Sequence, residues 1–121
     1  MDRKNTGNEA EQATAQFLKH QGLTIVKRNF YCRRGELDII AKDQETLVFV
    51  EVRARKHNAM VNPIESVGPS KQRRLISAAG YYIHRFGLHN SPCRFDVVGV
   101  TPGADGSHQF QWIPNAFDAN L

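Results

Sequence analysis

The chain has 121 residues, 40% of them apolar and 23% charged, an ordinary globular composition that supports one hydrophobic core and argues against wholesale disorder. Sixteen Lys and Arg against twelve Asp and Glu give a formal charge of +4, a balance that suits a polyanionic partner without requiring one. Cys32 and Cys93 form no CxxC pattern, the N-terminus lacks an apolar signal segment, and no run approaches the ~18 apolar residues of a membrane span, so a cytoplasmic protein with no membrane partner is expected.

The first element expected is a helix over about 7–21. Thr6 followed by Glu9 fits a capping box, Ala10, Ala13, Phe17 and Leu18 form an apolar stripe, and Gly22 suits the position after the last turn. A strand over 23–31 follows. The turn CRRG leads to ELDIIAK, and DQET leads to LVFVEVRAR, two further strands. Residues 56–69 have no clear period and read as a loop with one short helical turn. Ser70 is placed to cap a second helix reaching Phe86, with Leu75, Ile76, Ala79, Ile83 and Phe86 on one face. RFDVVGVT is a buried strand, HQFQWI an edge strand, and 114–121 a short tail. The fold class expected is α/β, a central mixed sheet flanked by helices in the order α-β-β-β-α-β-β, forming one domain over 1–121 with its core at about 7–113.

Asp38 and Glu51 each sit in the middle of a strand that is otherwise apolar. If Gln44 and Glu45 form a two-residue hairpin loop, Ile40 faces Phe49, Asp38 faces Glu51 and Glu36 faces Arg53. Directly opposed residues hold their Cβ atoms about 4.5–5.5 Å apart. Two ionised carboxylates at that spacing repel, and burial adds a desolvation cost. Arg53 on the same face could offset the charge, and so could a divalent cation, for which hard oxygen ligands favour Mg²⁺ or Mn²⁺. The plainer alternative is that both acids only pair with neighbouring arginines.

This pattern, Asp38 followed by Glu51-Val52-Arg53, resembles the PD-(D/E)xK nuclease superfamily with its restriction-endonuclease-like fold. Four stretches together resemble, more narrowly, the YraN family of uncharacterised nuclease-like proteins, relatives of Holliday-junction resolvases. They are G-x-x-A-E-x-A at Gly7–Ala13, RNF at 28–30, GELDIIA at 35–41 and LVFVEVRAR at 47–55, with KQRRL at 71–75 and RFDVVGV at 94–100 continuing the match. The resemblance implies that Asp38, Glu51 and the backbone carbonyl of Val52 hold the metal. It implies that Glu11 reaches the same site from the first helix, and that Lys71 or Gln72 projects toward it. Glu36 would stand behind Arg53. One position departs from the superfamily pattern, because many members carry lysine where this chain has Arg53. Arginine stays protonated and cannot accept a proton, although it can hold a phosphate and the charge developing on it.

Lys71, Arg73 and Arg74 crowd the first turn of the second helix, where the helix dipole disfavours cations unless an anion approaches. Together with Lys27, Arg28, Arg33, Arg34, Arg53, Arg55 and Lys56 they make ten of the sixteen basic residues, in three segments expected to surround the acid pair. A cationic rim around an acidic centre suits a phosphodiester backbone, so Arg28, Arg33, Arg34, Arg55, Lys56, Lys71, Arg73 and Arg74 are the expected nucleic-acid contacts. The five histidines have no zinc spacing, Trp112 reads as core, and the common nucleotide-binding and hydrolase motifs are absent.

The function expected is a Mg²⁺-dependent endonuclease acting on nucleic-acid phosphodiesters, with branched or structured DNA as the substrate the resemblance favours over RNA. Two alternatives stand beside it. One is a non-catalytic nucleic-acid-binding module that keeps the fold; the other is a structural protein whose acids serve only in ion pairs. Resolvases act as dimers, so the resemblance raises a homodimer, although no apolar interface stripe stands out in the sequence.

Overall fold

The computed structural model describes residues 3–56 and 62–119, with side chains described from residue 8 onward. His57 and the remainder of 57–61 lie outside the described residues, as does the side chain of Thr6. The elements are helix α1 (Arg3–His20), strands β1 (Thr24–Cys32), β2 (Gly35–Asp43) and β3 (Thr46–Ala54), a 3-10 turn (Pro63–Ser66), helix α2 (Pro69–Arg85), and strands β4 (Cys93–Pro102) and β5 (His108–Phe117). This is the α/β order expected from the sequence. The strands form one sheet in chain order; β3 and β4 run parallel and every other neighbouring pair is antiparallel. Parallel neighbours need a long crossover, and the 3-10 turn with α2 supplies it.

The two helices cover opposite faces of the sheet. Leu75, Ala78, Ala79, Tyr82 and Ile83 of α2 pack on Leu37, Ile40, Leu47, Phe49, Phe95 and Val97. Ala10, Ala15 and Leu18 of α1 pack on Ile39, Ala41, Val48, Val50, Val98 and Val100. Strands covered on both faces read as continuous apolar runs, which is why VVGV and LVFV carry no alternation. Aromatic rings fix the layers. Phe49 stacks on Phe95 at 5.5 Å and meets the edge of Tyr82 at 6.0 Å, while Phe17 stacks on Phe110 at 4.4 Å. Trp112, read as core from the sequence, is partly buried and packs edge-on against Phe17 at the margin of the core.

Several boundaries differ from the sequence reading. Helix α1 starts at Arg3, so Thr6 lies within the helix and does not cap it. Helix α2 starts at Pro69 with Gly68 as its N-cap, so Ser70 is an interior residue of the first turn. Proline at that first position has its φ already set and lacks an N–H that would go unbonded anyway. Phe86, expected on the buried face, is the C-cap and half exposed. Residues 114–117, expected in the tail, belong to β5, and Phe117 stacks on Phe95 at 5.0 Å. The helix stops at Gly22 and Gly87 are as expected, with φ of +101° and +64° that glycine adopts without strain.

Asp96 is fully buried and fully bonded. Its Oδ1 accepts from Arg94 Nε at 3.0 Å and Asn115 N at 2.9 Å, and its Oδ2 accepts from Trp112 Nε1 at 3.0 Å and Arg94 Nη2 at 3.2 Å. Arg94 also reaches Asp43 Oδ2 at 3.0 Å. The network pins β5 to β4 where their register shifts between Phe95 and Val97. Removing the carboxylate leaves Arg94 with Asp43 alone and deprives the Trp112 and Asn115 N–H groups of their acceptor, so Asp96→Ala should cost about 3 kcal/mol, read as a lowered midpoint in urea unfolding.

Candidate active site

The β2–β3 hairpin has the register that a two-residue loop imposes. Asp43 faces Thr46, Ile40 faces Phe49, and Gln44 takes φ +54° in the turn. The ladder runs only as far as Ile39 opposite Val50. Beyond that point the backbones part, and Asp38 bridges the gap with its side chain: Oδ2 accepts from Val52 N at 2.9 Å. Side-chain alternation also slips here. Strict alternation puts Leu37 on the face of Ile39 and Ala41, but it packs with Ile40 beneath α2. Across the β1–β2 ladder the register places Asn29, at φ +56°, opposite Asp38. Both strands are therefore irregular at the carboxylate, which turns Asp38 toward β3.

Glu51 projects from β3 with only 4% of its side chain exposed. Its Oε2 accepts from Arg53 Nη1 at 3.1 Å and lies 3.6 Å from Lys71 Nζ at the start of α2. Its Oε1 is buried and has no partner. The Asp38 and Glu51 carboxyl groups are close enough that each bears on the charge of the other. Burial pushes the Asp38 carboxyl up to about 8, the Glu51 charge pushes the same way, and the Val52 N–H pulls it down without prevailing. From α1, Glu11 adds to the negative field at both residues. Burial raises the Glu11 carboxyl, Arg28 lowers it, and the charges of Glu36 and Glu51 raise it; its Oε1 is also buried without a partner.

Arg53 is held by more than Glu51. Its Nε donates to Ser66 Oγ at 3.0 Å and its Nη2 to the Ser66 carbonyl at 3.1 Å. Glu36 was expected opposite Arg53, but the β2–β3 ladder ends at Ile39 and Val50 before it; on its other side it pairs with Tyr31 of β1, and it is exposed. Of the two α2 residues proposed to reach the site, Lys71 does and Gln72 does not. Gln72 Nε2 donates to the Val67 carbonyl at 2.9 Å, closing the turn that precedes the helix. Ser66 escaped the sequence reading. The Asn62-Pro63 pair that starts its turn is a helix-start signal, and Asn62 Oδ1 does accept from Ile64 N at 3.1 Å.

The expected cationic rim divides into three. Arg33, Arg34, Arg73 and Arg74 are exposed, and Arg34 Nη1 reaches Ser77 Oγ of α2 at 3.5 Å. Arg28 is partly buried against α1, donating to Asn8 Oδ1 at 3.1 Å. Arg55 and Lys56 line a cavity of about 360 Å³ with Glu9, Ala10, Ala54, Val100, Pro102 and His108. His20, His84, His89 and His108 are exposed, as expected of surface residues.

The donor set fits a hard divalent cation. A buried carboxylate oxygen without a partner, beside a second carboxylate it repels, is an electrostatic fault that a cation would remedy. Among the described residues no group of three or more His, Cys, Asp and Glu side chains could hold a metal. Mg²⁺ does not need such a group, since it is usually held by one or two carboxylates and keeps several waters. No described helix is long and apolar enough to cross a membrane.

Fold and site define a small mixed-sheet α/β protein with a carboxylate pair, Glu51 buried and Asp38 partly so, backed by the basic first turn of a helix. The chain belongs to the uncharacterised protein family UPF0102, whose model matches residues 10–100; this is the family that the motifs resembled under the name YraN. Its relatives include the UPF0102 protein of Alcanivorax borkumensis, 53% identical over 116 residues that cover 95% of this chain and 93% of the relative. The UPF0102 protein of Marinobacter nauticus is 44% identical over 117 residues, covering 97% and 95%, and that of Symbiobacterium thermophilum 47% identical over 116, covering 96% and 98%.

A carboxyl raised in the folded state favours unfolding once it ionises. The Asp38 contribution is therefore intact below its unfolded value near 3.8 and is lost as pH rises toward about 8. Asp38→Asn keeps an acceptor for the Val52 N–H and removes the charge. In metal-free buffer it should raise unfolding stability at pH 8 by on the order of 2 kcal/mol and flatten its fall between pH 4 and 8, measured by urea titration.

Proposed function

We propose that this protein is a metal-dependent nuclease that hydrolyses nucleic-acid phosphodiester bonds, with DNA as the polymer the family motifs favour. The observation that carries the reading is the Asp38–Glu51 pair, with Glu51 Oε1 buried and unpartnered beside a carboxyl of strongly raised pKa. Asp38 and Glu51, with the Val52 carbonyl, would hold Mg²⁺ or Mn²⁺. When bound, such an ion polarises a phosphoryl oxygen and makes a coordinated water acidic enough to ionise near neutral pH. Arg53, fixed by Ser66 and Glu51, keeps part of its side chain exposed and is placed to hold a phosphate oxygen as charge develops on it. Lys71, also partly exposed, would draw the phosphodiester toward the same carboxylates.

Arginine where many superfamily members have lysine supports a second reading, a nucleic-acid-binding module without turnover, because a guanidinium cannot accept a proton from water. Incubation with labelled branched, single-stranded and duplex DNA in Mg²⁺ or Mn²⁺ separates the two. The nuclease reading expects cleavage that disappears in Asp38→Ala and Glu51→Ala and drops on the order of 10²-fold or more in Arg53→Ala. Binding by all four proteins, with no cutting by the parent, would leave the module. A readout independent of turnover is thermal unfolding: Mg²⁺ should raise the Tm of the parent protein at pH 8 and leave that of Glu51→Ala unchanged.

A further inference from the structure

Two long stretches of the chain contain no acidic residue, 12–35 and 66–95. Between them they hold ten of the sixteen Lys and Arg and none of the twelve Asp and Glu. The fold packs these stretches together. Arg34 of the β1–β2 turn reaches Ser77 of α2 at 3.5 Å, and Phe30 meets Tyr81 at 6.3 Å and Tyr82 at 5.2 Å. The four large apolar side chains exposed among the described residues, Val26, Tyr31, Tyr81 and Phe86, all fall in the same two stretches. Tyr81 is 36% exposed on α2, on the side of the β1–β2 turn, whereas Tyr31, between Phe30 and Cys32 that both face α2, points to the other face of the sheet beside Glu36.

Helical periodicity puts Lys71, Arg74, Tyr81 and Arg85 along the flank of α2 that adjoins the β1–β2 turn. The line begins at the acid pair, because Lys71 Nζ is 3.6 Å from Glu51 Oε2, and it reaches Tyr81 about 15 Å further along the helix. Duplex recognition needs cations spaced for a rigid backbone and gains little from exposed rings. An unpaired strand gains from both, since its phosphates follow the cations and its bases stack on aromatic faces.

We propose that this surface binds a single-stranded nucleic-acid segment and leads it to the carboxylate pair. Arg33, Arg34 and Arg74 carry the phosphates, and Tyr81 carries a base. The proposal rests on the nuclease reading for its direction, while the surface itself is tested without metal or cleavage.

The experiment is fluorescence anisotropy of a labelled single-stranded DNA and of the duplex of the same sequence, in EDTA, with full-length protein. The expected result is tighter binding of the single strand. Tyr81→Ala should weaken single-strand binding about tenfold and duplex binding less than twofold, while Tyr81→Phe, and Tyr31→Ala on the opposite face, keep affinity. Arg34→Ala with Arg74→Ala should weaken both probes and lower the single-strand salt slope by about 1.4. Tyr81 is exposed, and circular dichroism of each variant checks that it folds. Equal binding of the two probes, with a silent Tyr81→Ala, overturns the proposal and leaves the nuclease reading standing. Loss of a concentration-dependent dimer in the tyrosine variants, with DNA binding unchanged, overturns it in favour of self-association. Binding to neither probe, with no cleavage in Mg²⁺, removes both readings.

Discussion

The hydrogen bond from Val52 N to Asp38 Oδ2 shapes the site. An antiparallel hairpin would normally continue its backbone ladder past Ile39 and Val50, and this one gives up that pairing for a side-chain acceptor. A carboxylate thus sits where a carbonyl would be, beside the next carboxylate on the partner strand. The local irregularity in β1, with Asn29 at positive φ, and the slip that sends Leu37 beneath α2 belong to the same distortion. Packing against two helices holds the sheet on either side, so the strain stays confined to one pleat.

The surroundings compensate the acid pair only in part. Arg53 and Lys71 both address Oε2 of Glu51, and the Val52 N–H addresses Oδ2 of Asp38. Glu51 Oε1 receives nothing, and Glu11 adds further negative potential from α1. A site shaped only for ion pairing would place its two cations on both oxygens of the buried carboxylate. Here they gather on one and leave the other open. Ser66 meanwhile takes two of the Arg53 donors, which holds the guanidinium steady rather than free to fold over the pair.

Much of this arrangement was legible in the sequence. Hairpin register follows from loop length and side-chain parity, so Asp43 opposite Thr46 and Ile40 opposite Phe49 could be derived from residue spacing. The element order followed from apolar runs and glycine stops. What failed was local. Thr6 and Ser70 had the chemistry of caps, but α1 begins three residues before Thr6 and Pro69 claims the first position of α2. Parity mispredicted Leu37 because alternation assumes an unbroken strand, and the irregularity at Asp38 and Asn29 leaves no mark in the pattern. Gln72 and Ser66 were misjudged or missed because their roles depend on where the 3-10 turn lies against α2, a tertiary fact.

Arginine at position 53 moves the question of proton transfer to other groups. In the nuclease reading a proton must leave the attacking water, and neither Arg53 nor Lys71, held near a carboxylate, is a natural acceptor. Glu51 is engaged by both cations through one oxygen. Glu11 differs: its carboxyl is raised by burial, one of its oxygens is unpartnered, and its charge is felt at both members of the pair. A carboxylate of raised pKa accepts protons near neutral pH better than an ordinary surface glutamate. In that reading the helix that covers one face of the sheet brings a group suited to the role, and arginine at position 53 is compatible with turnover.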